Sequence, residues 1–100
     1  MLEGMQAQKK RPSKRSEKWF LYILRCADES LYTGVTKDLK RRFKMHSEGK
    51  AARYTRTRRP LKMVYHEICL TRTDALVREC RVKALPKIKK LALIEGSRVG

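Results

Sequence analysis

The sequence is poor in acidic residues and has no long apolar run. It contains 10 Asp and Glu residues against 26 Lys and Arg, which gives a formal net charge of +16. No stretch approaches the roughly 20 apolar residues of a membrane-spanning helix, so we expect no membrane partner. The positive charge exceeds what solubility requires and favours a polyanionic partner, with nucleic acid as the first candidate.

Cysteine is scarce, and its spacing does not indicate a metal site. Cys26, Cys69 and Cys80 are odd in number, and no two of them form a Cys-x-x-Cys pair. This pattern is typical of reduced, largely buried thiols in a reducing compartment. Residues 1–18 are polar and basic and lack the apolar segment of a signal peptide. We therefore predict a cytoplasmic protein whose residues 1–18 form a disordered basic arm.

The length of 100 residues allows one domain with one modest core. We predict that this domain covers residues 19–95 and that residues 96–100 form a C-terminal tail. A helix over 85–94 is expected to close the core, with Gly96 as its stop.

Three segments show strand patterns. Trp19 to Cys26 is an almost unbroken apolar and aromatic run, which predicts a central strand. Leu31 to Val35 resumes the strand pattern after the four residues Ala27-Asp28-Glu29-Ser30, a separation typical of an antiparallel hairpin. Residues 61–70 alternate well enough to predict a third strand.

A helix is predicted directly after the second strand. Thr36 is placed to cap it, and Asp38 lies in the first turn, where a negative charge meets the positive end of the helix. Arg42 and His46 are four positions apart and are expected to project from the same side. Together with the hairpin, they form a candidate phosphate site.

A later helix carries one notable acid. Leu76 and Cys80 are expected on its inner face, with Glu79 at the margin of this apolar stripe. A carboxylate there is held beside the sheet. The alternative is an ordinary surface pair with Lys83, four positions on, which contributes only a few tenths of a kcal/mol.

The segment 47–59 is rich in basic residues, and we expect it to be too polar to pack. Cations near one aromatic ring are typical of a surface that follows a phosphate backbone and stacks a base. The alternative is a solvated loop without a partner. The candidate nucleic-acid contacts, including two from the preceding helix, are Lys37, Arg41, Lys50, Arg53, Tyr54 and Arg56.

Several short motifs occur in a fixed order at compatible spacing. They are Phe20-Leu21-Tyr22, then Tyr32-Thr33-Gly34, then Thr36-Lys37-Asp38-Leu39-x-x-Arg42-x-x-x-His46. With the later segments GKAARYTR and PLKMVY, the chain resembles the GIY-YIG nuclease superfamily, in its small single-domain YhbQ-type branch. The resemblance covers roughly residues 19 to 94.

The resemblance implies an α+β fold, with a three-stranded antiparallel sheet flanked by helices. It also implies a metal-dependent endonuclease acting on DNA, with a role in repair or in processing abnormal DNA structures. Glu79 would hold one Mg²⁺ or Mn²⁺, and Arg42 would bind the scissile phosphate. Tyr22 and Tyr32 would position and deprotonate the attacking water, helped by His46, and the general base is open among these three.

Two departures and two alternatives accompany this interpretation. The chain has no asparagine, so the asparagine that some homing-type members carry near their end has no counterpart, and Glu79 stands alone as metal ligand. The segment 47–59 has Ala51 where the family has a second glycine. The alternatives are a noncatalytic nucleic-acid-binding module and a nuclease subunit that needs a partner protein. The sequence leaves open DNA against RNA and the oligomeric state.

Overall fold

The structure, a computed structural model, describes residues 18–99, and side chains through residue 96. The predicted basic arm therefore lies almost wholly outside the described residues. Within them the chain forms three strands and four helices. In chain order these are β1 (Trp19–Arg25), β2 (Leu31–Thr36), α1 (Leu39–Ser47), α2 (Arg53–Arg56), β3 (Lys62–Cys69), α3 (Arg72–Lys83) and α4 (Lys87–Val99).

The three strands form one antiparallel sheet in the order β2, β1, β3. The prediction of a three-stranded antiparallel sheet flanked by helices is confirmed, with each strand within one residue of its expected bounds. β1 lies in the centre, which explains its apolar composition, because both of its faces are covered. The register places Tyr22 opposite Gly34 on β2 and opposite His66 on β3.

The two faces of β1 serve different purposes. Leu21 and Ile23 are fully buried and pack with Ala75 and Val82 of α3 and Ile94 of α4. Successive side chains of a strand point to opposite faces. The residues between them therefore face away from this core. The catalytic prediction for Tyr22 concerns that second face.

The start of α1 differs from the prediction. Asp38, not Thr36, is the N-cap, and its carboxylate accepts a hydrogen bond from the backbone N–H of Arg41 at 3.0 Å. The Thr36 hydroxyl instead accepts from the Asp38 N–H at 3.1 Å. Both residues are good caps, and α1 begins two residues later than a Thr36 cap requires, so the nearer one is used.

The orientation of α3 was also predicted wrongly. Leu76 is 38% exposed and Cys80 is exposed, whereas Ala75 and Val82 are fully buried. The helix turns Ala75 and Val82 to the core and Leu76 and Val77 outward. This rotation brings Glu79 nearer to the sheet, where it is 21% exposed.

The end of α4 and the thiols complete the description. α4 continues through Gly96 to Val99, so the prediction that Gly96 stops this helix is wrong. The three cysteines are free, and two of them, Cys26 and Cys69, are buried. Among the described residues, no helix is long and apolar enough to cross a membrane.

Candidate active site

Tyr22 lies at the centre of the candidate site and depends on a glycine opposite it. The residue is fully buried on β1. A Cβ built on Gly34 would lie 2.5 Å from the Tyr22 hydroxyl oxygen and 2.7 Å from Cζ, far inside van der Waals contact. The phenol ring therefore passes directly over Gly34. The glycine is required by this close approach, since its backbone φ is not in the left-handed region.

His46 of α1 bridges Tyr22 and a residue of α2. Its Nε2 lies 2.8 Å from the Tyr22 hydroxyl oxygen, and its Nδ1 lies 2.8 Å from the Thr55 hydroxyl oxygen. His46 and Thr55 are both fully buried. The Thr55 hydroxyl also donates to the backbone carbonyl of Ala52 at 3.2 Å. Both ring nitrogens of the imidazole are therefore hydrogen-bonded inside the protein.

Tyr32 of β2 is half-buried and belongs to the same aromatic group. Its ring centroid lies 5.2 Å from that of His46, at an interplanar angle of 62°, and 6.4 Å from that of Tyr22. On another side it stacks with Tyr54 of α2 at 6.0 Å and 29°. The two tyrosines of the sequence motifs and the histidine are thus in direct ring contact.

Arg42 lies one helical turn before His46 and acts on both of its neighbours. Burial raises the pKa of Tyr22 to about 12, the nearby Tyr32 adds to the rise, and the Arg42 guanidinium opposes it by charge and hydrogen bonding. The pKa of His46 falls to about 4, first because burial disfavours the charged ring and then because Arg42 repels it. At neutral pH the phenol and the imidazole are both uncharged.

Glu79 reaches this group from α3. Its carboxylate forms an ion pair with Lys83 at 3.3 Å, as the simpler interpretation of the sequence expected. Its negative charge is the last and smallest of the contributions to the raised pKa of Tyr22. The structure thus brings Tyr22, Tyr32 and His46 into contact with Arg42 one helical turn away, and Glu79 acts on Tyr22 through its charge.

The side chains at the candidate site suit a hard cation that is bound by a single protein carboxylate. Within residues 18–99 no group of three His, Cys, Asp or Glu side chains could enclose a metal ion. A single half-buried carboxylate fits Mg²⁺ or Mn²⁺, because Mg²⁺ retains several waters and commonly uses one or two protein carboxylates. The set does not fit a zinc centre, which needs several nitrogen or sulfur ligands.

The segment 47–59 is more ordered than its polarity suggested. It contains the short helix α2, which contacts α1 and buries Thr55 completely, so the expectation that it is too polar to pack is wrong. Thr55 was missed because it lies between Tyr54 and Arg56 in a basic run without apolar periodicity. The burial of Thr55 can be inferred only when the position of His46 beside it is known.

The predicted nucleic-acid contacts lie mostly on the surface of α1 and α2. Arg41, Arg53 and Arg56 are exposed, and Lys50 is exposed in an ion pair with Glu48 at 3.7 Å. Lys37 is different, because its ammonium lies 5.8 Å from the centroid of the Trp19 ring. These residues were predicted as one set, and their side chains are available to a ligand to different degrees.

Tyr54 is engaged within the protein by a residue outside the predicted set. The guanidinium carbon of Arg58 lies 3.9 Å from the Tyr54 ring centroid. Arg58 also donates to the Tyr54 carbonyl oxygen at 2.9 Å and to the Asp28 carboxylate at 3.1 Å. Because Arg58 covers the ring, a base can stack there only by displacing it. The signal in the sequence was the i, i+4 spacing of Tyr54 and Arg58.

The buried histidine predicts a pH dependence of stability. The pKa of His46 is about 4 in the folded protein against about 6.5 in an unfolded chain. The unfolded state therefore binds more protons between these values, and stability falls as the pH falls. We expect a loss of about 2 kcal/mol in the free energy of unfolding from pH 7 to about pH 5. Urea titrations measure it.

The matched controls for this loss are two glutamine variants. His46→Gln should remove the loss, because glutamine carries no titrating group. His66→Gln should leave it unchanged, because His66 is exposed. Equal pH dependence in His46→Gln and the parent would contradict the assignment.

Comparison with known proteins gives a consistent result. The family described as GIY-YIG catalytic domain matches residues 18–91. A UPF0213 protein of Desulfotalea psychrophila is 45% identical over 91 residues, covering 90% of this chain and 83% of the relative. One of Oceanobacillus iheyensis is 47% identical over 79 residues, covering 79% and 92%. The solution NMR structure of a UPF0213 protein from Bacillus halodurans matches with a TM-score of 0.52 at 41% identity, covering 78% of this chain and 83% of that one.

Proposed function

Because the chain belongs to the GIY-YIG family, a nuclease superfamily, we propose that it is a metal-dependent endonuclease that hydrolyses phosphodiester bonds in DNA. The proposed role is in repair or in processing abnormal DNA structures. The observation that carries the proposal is that Tyr22 on β1 is surrounded by groups from three other elements, β2, α1 and α3. A buried phenol, a buried imidazole, a guanidinium and a carboxylate are together more than a DNA-coating surface needs.

Arg42 is proposed to bind the scissile phosphate. Its planar guanidinium presents paired N–H donors that match two phosphate oxygens. It lies one helical turn before His46 on α1, and its charge acts to lower the pKa of both Tyr22 and His46. A phosphate held by Arg42 would therefore lie next to the phenol, and its negative charge would raise the proton affinity of the imidazole.

Tyr22 and His46 are proposed to act as a pair on the attacking water. Their pKa values of about 12 and about 4 differ by about eight units, so full proton transfer in the resting protein costs on the order of 10 kcal/mol. The phenol therefore stays neutral until substrate binds, and its proton must leave in the same step as water attack. The Tyr32 and His46 rings meet edge to face. Tyr32 is therefore proposed to position the water and to form an aromatic wall of the site.

Glu79 is proposed to hold the metal ion, Mg²⁺ or Mn²⁺, together with water molecules. When bound, this ion would supply positive charge to offset the charge that builds on the phosphate. Lys83, which pairs with Glu79 in the structure, orients the carboxylate until then.

The exposed arginines of α1 and α2 are proposed to bind the phosphate backbone. Arg41, Arg53 and Arg56 would supply a charge-based grip that does not read sequence. This contact would suit DNA of any sequence, and RNA as an alternative. A specific observation favours one rival function, a noncatalytic nucleic-acid-binding module, because the metal site rests on one carboxylate.

The test is cleavage of supercoiled, nicked and branched DNA with Mg²⁺ or Mn²⁺. We expect the parent to cut, EDTA to stop it, and Glu79→Gln to lower kcat about a hundredfold, because the lone metal-binding carboxylate is lost. Gel assays with varied metal concentration measure this, and part of the loss should be recovered at high Mn²⁺. Glu29→Gln, which neutralises an exposed acid in the hairpin turn, is the matched control and should cut normally.

Three outcomes would count against the proposal in different ways. Unchanged cleavage by Glu79→Gln would remove the metal assignment. Salt-sensitive binding without cleavage of any substrate, DNA or RNA, would favour the binding module. Cleavage that appears only with a second protein would mean that the chain is a nuclease subunit.

A further inference from the structure

Thr55 is a buried hydroxyl for which the proposed mechanism has no role yet. It lies in the single turn of α2, is fully buried, and contacts two polar groups. Its oxygen lies 2.8 Å from His46 Nδ1 and 3.2 Å from the carbonyl oxygen of Ala52, the residue before α2. A threonine hydroxyl has one hydrogen and two lone pairs, so the two contacts must use it differently.

The Ala52 side decides how the hydroxyl is oriented. A carbonyl oxygen can only accept, so the contact with Ala52 is a hydrogen bond only if the Thr55 hydrogen points to it. The Thr55 lone pair then faces His46. Nδ1 of the imidazole must therefore carry a hydrogen and donate it to Thr55.

The opposite end of the ring is compatible with the same protonation state. Tyr22 is fully buried, and in the described part of the chain His46 Nε2 is the hydrogen-bond partner found for its hydroxyl. With Nδ1 protonated, Nε2 is an acceptor, and the Tyr22 hydrogen points to it. The phenol oxygen could instead accept from an Nε2–H, so the Thr55 contact is what selects the Nδ1–H tautomer.

We propose that Thr55 is a positioning residue that fixes His46 in the Nδ1–H tautomer and so directs the Tyr22 hydroxyl hydrogen onto Nε2. The catalytic meaning of this inference rests on the proposed nuclease function, while the tautomer can be observed without it. The lone pairs of the phenol oxygen are then free of the imidazole, and one of them can face the attacking water.

The proton balance of the step follows from this arrangement. The water oxygen forms the bond to phosphorus, and its proton passes to the Tyr22 oxygen while the Tyr22 hydrogen moves to Nε2. The bond to the leaving oxygen breaks with its electron pair, and that oxygen is protonated from solvent. His46 ends as imidazolium and later returns its proton to solvent. Its Nδ1–H bond to Thr55 is kept throughout, so one hydroxyl serves both states of the ring.

The experiment reads the tautomer directly. In ¹⁵N-histidine-labelled protein, long-range ¹H–¹⁵N correlation distinguishes protonated from unprotonated ring nitrogens. The chain has two histidines, and the exposed His66 serves as internal reference, with His66→Gln to assign the signals. We expect Nδ1–H for His46 in the parent and in Thr55→Ser, and a shift toward Nε2–H in Thr55→Val, which has the same shape without the hydroxyl.

Cleavage kinetics give the second measurement. Thr55→Val should lower kcat about ten- to a hundredfold with KM nearly unchanged, because a misdirected proton affects the chemical step more than binding. Thr55→Ser should restore kcat to within about threefold of the parent. A purely structural role would not link recovery of activity to recovery of the tautomer.

The outcomes separate this inference from the proposed function. Nε2–H in the parent, or an unchanged tautomer in Thr55→Val, would overturn the inference whatever the cleavage result. The expected tautomers without cleavage by any variant would overturn the nuclease and leave the assignment of Thr55 standing. If Thr55→Val does not fold, the spectra of the parent and of Thr55→Ser decide.

Discussion

Phenylalanine in place of Tyr22 is expected to lower kcat about a thousandfold or more while leaving DNA binding nearly intact. The substitution removes one oxygen, which is the atom that joins the proposed water site to His46 Nε2 at 2.8 Å. General acid–base groups typically contribute 10²- to 10⁴-fold, and the loss should lie in the upper part of this range because the imidazole then has no path to the water. Single-turnover cleavage at saturating enzyme measures the effect.

Tyr65→Phe is the matched control for this substitution. Tyr65 lies on β3 and donates to the Glu67 carboxylate, which Arg78 also holds by two hydrogen bonds. Removing that hydroxyl should leave cleavage within about twofold of the parent. Retention of cleavage within about tenfold by Tyr22→Phe would contradict the role proposed for the phenol and would favour Tyr32 or His46 acting directly on the water.

Alanine in place of Gly34 is expected to impair both folding and cleavage. The new Cβ would lie 2.5 Å from the Tyr22 hydroxyl oxygen, on the central strand pair, where neither partner moves freely. Overpacking of this kind costs about 1–3 kcal/mol, and we expect the upper end. Displacement of the phenol by about 1 Å would lower kcat by about a hundredfold. Urea unfolding and cleavage assays measure the two effects.

Two further variants show whether the clash with Tyr22 is the cause. Gly96→Ala introduces the same methyl group in α4, where nothing lies within 4 Å, and should be neutral or stabilising by up to about 1 kcal/mol. Tyr22→Leu removes the ring, so adding Gly34→Ala to it should cost much less than in the parent. Equal costs in both backgrounds would show that Gly34 matters for another reason.

The fold was largely predictable because its signals are local. The apolar run of β1 and the short polar turn before β2 define the hairpin without reference to the remainder of the chain. The spacing of Arg42 and His46 was likewise sufficient to place them on one side of α1. Local patterns of this kind depend only on the periodicity of strands and helices.

Other features depend on contacts between distant segments and left no local signal. In α3 the small Ala75 faces the core and the larger Leu76 points outward, although hydrophobicity alone favours the opposite. Thr55 is buried only because His46 provides a partner for its hydroxyl. A polar residue in a basic run is predicted to be solvent-exposed unless its buried hydrogen-bond partner is known.

The short helix α2 lies between His46 of the candidate site and the hairpin turn that contains Asp28. One turn of helix is not stable by itself in water, so contacts with neighbouring segments must stabilise α2. On the buried side of this segment Thr55 contacts His46, and on its solvent side Arg58 donates a hydrogen bond to Asp28 in the hairpin turn. A substitution of Asp28 that removes its contact with Arg58 should therefore loosen the position of the His46 imidazole, although Asp28 does not contact that ring.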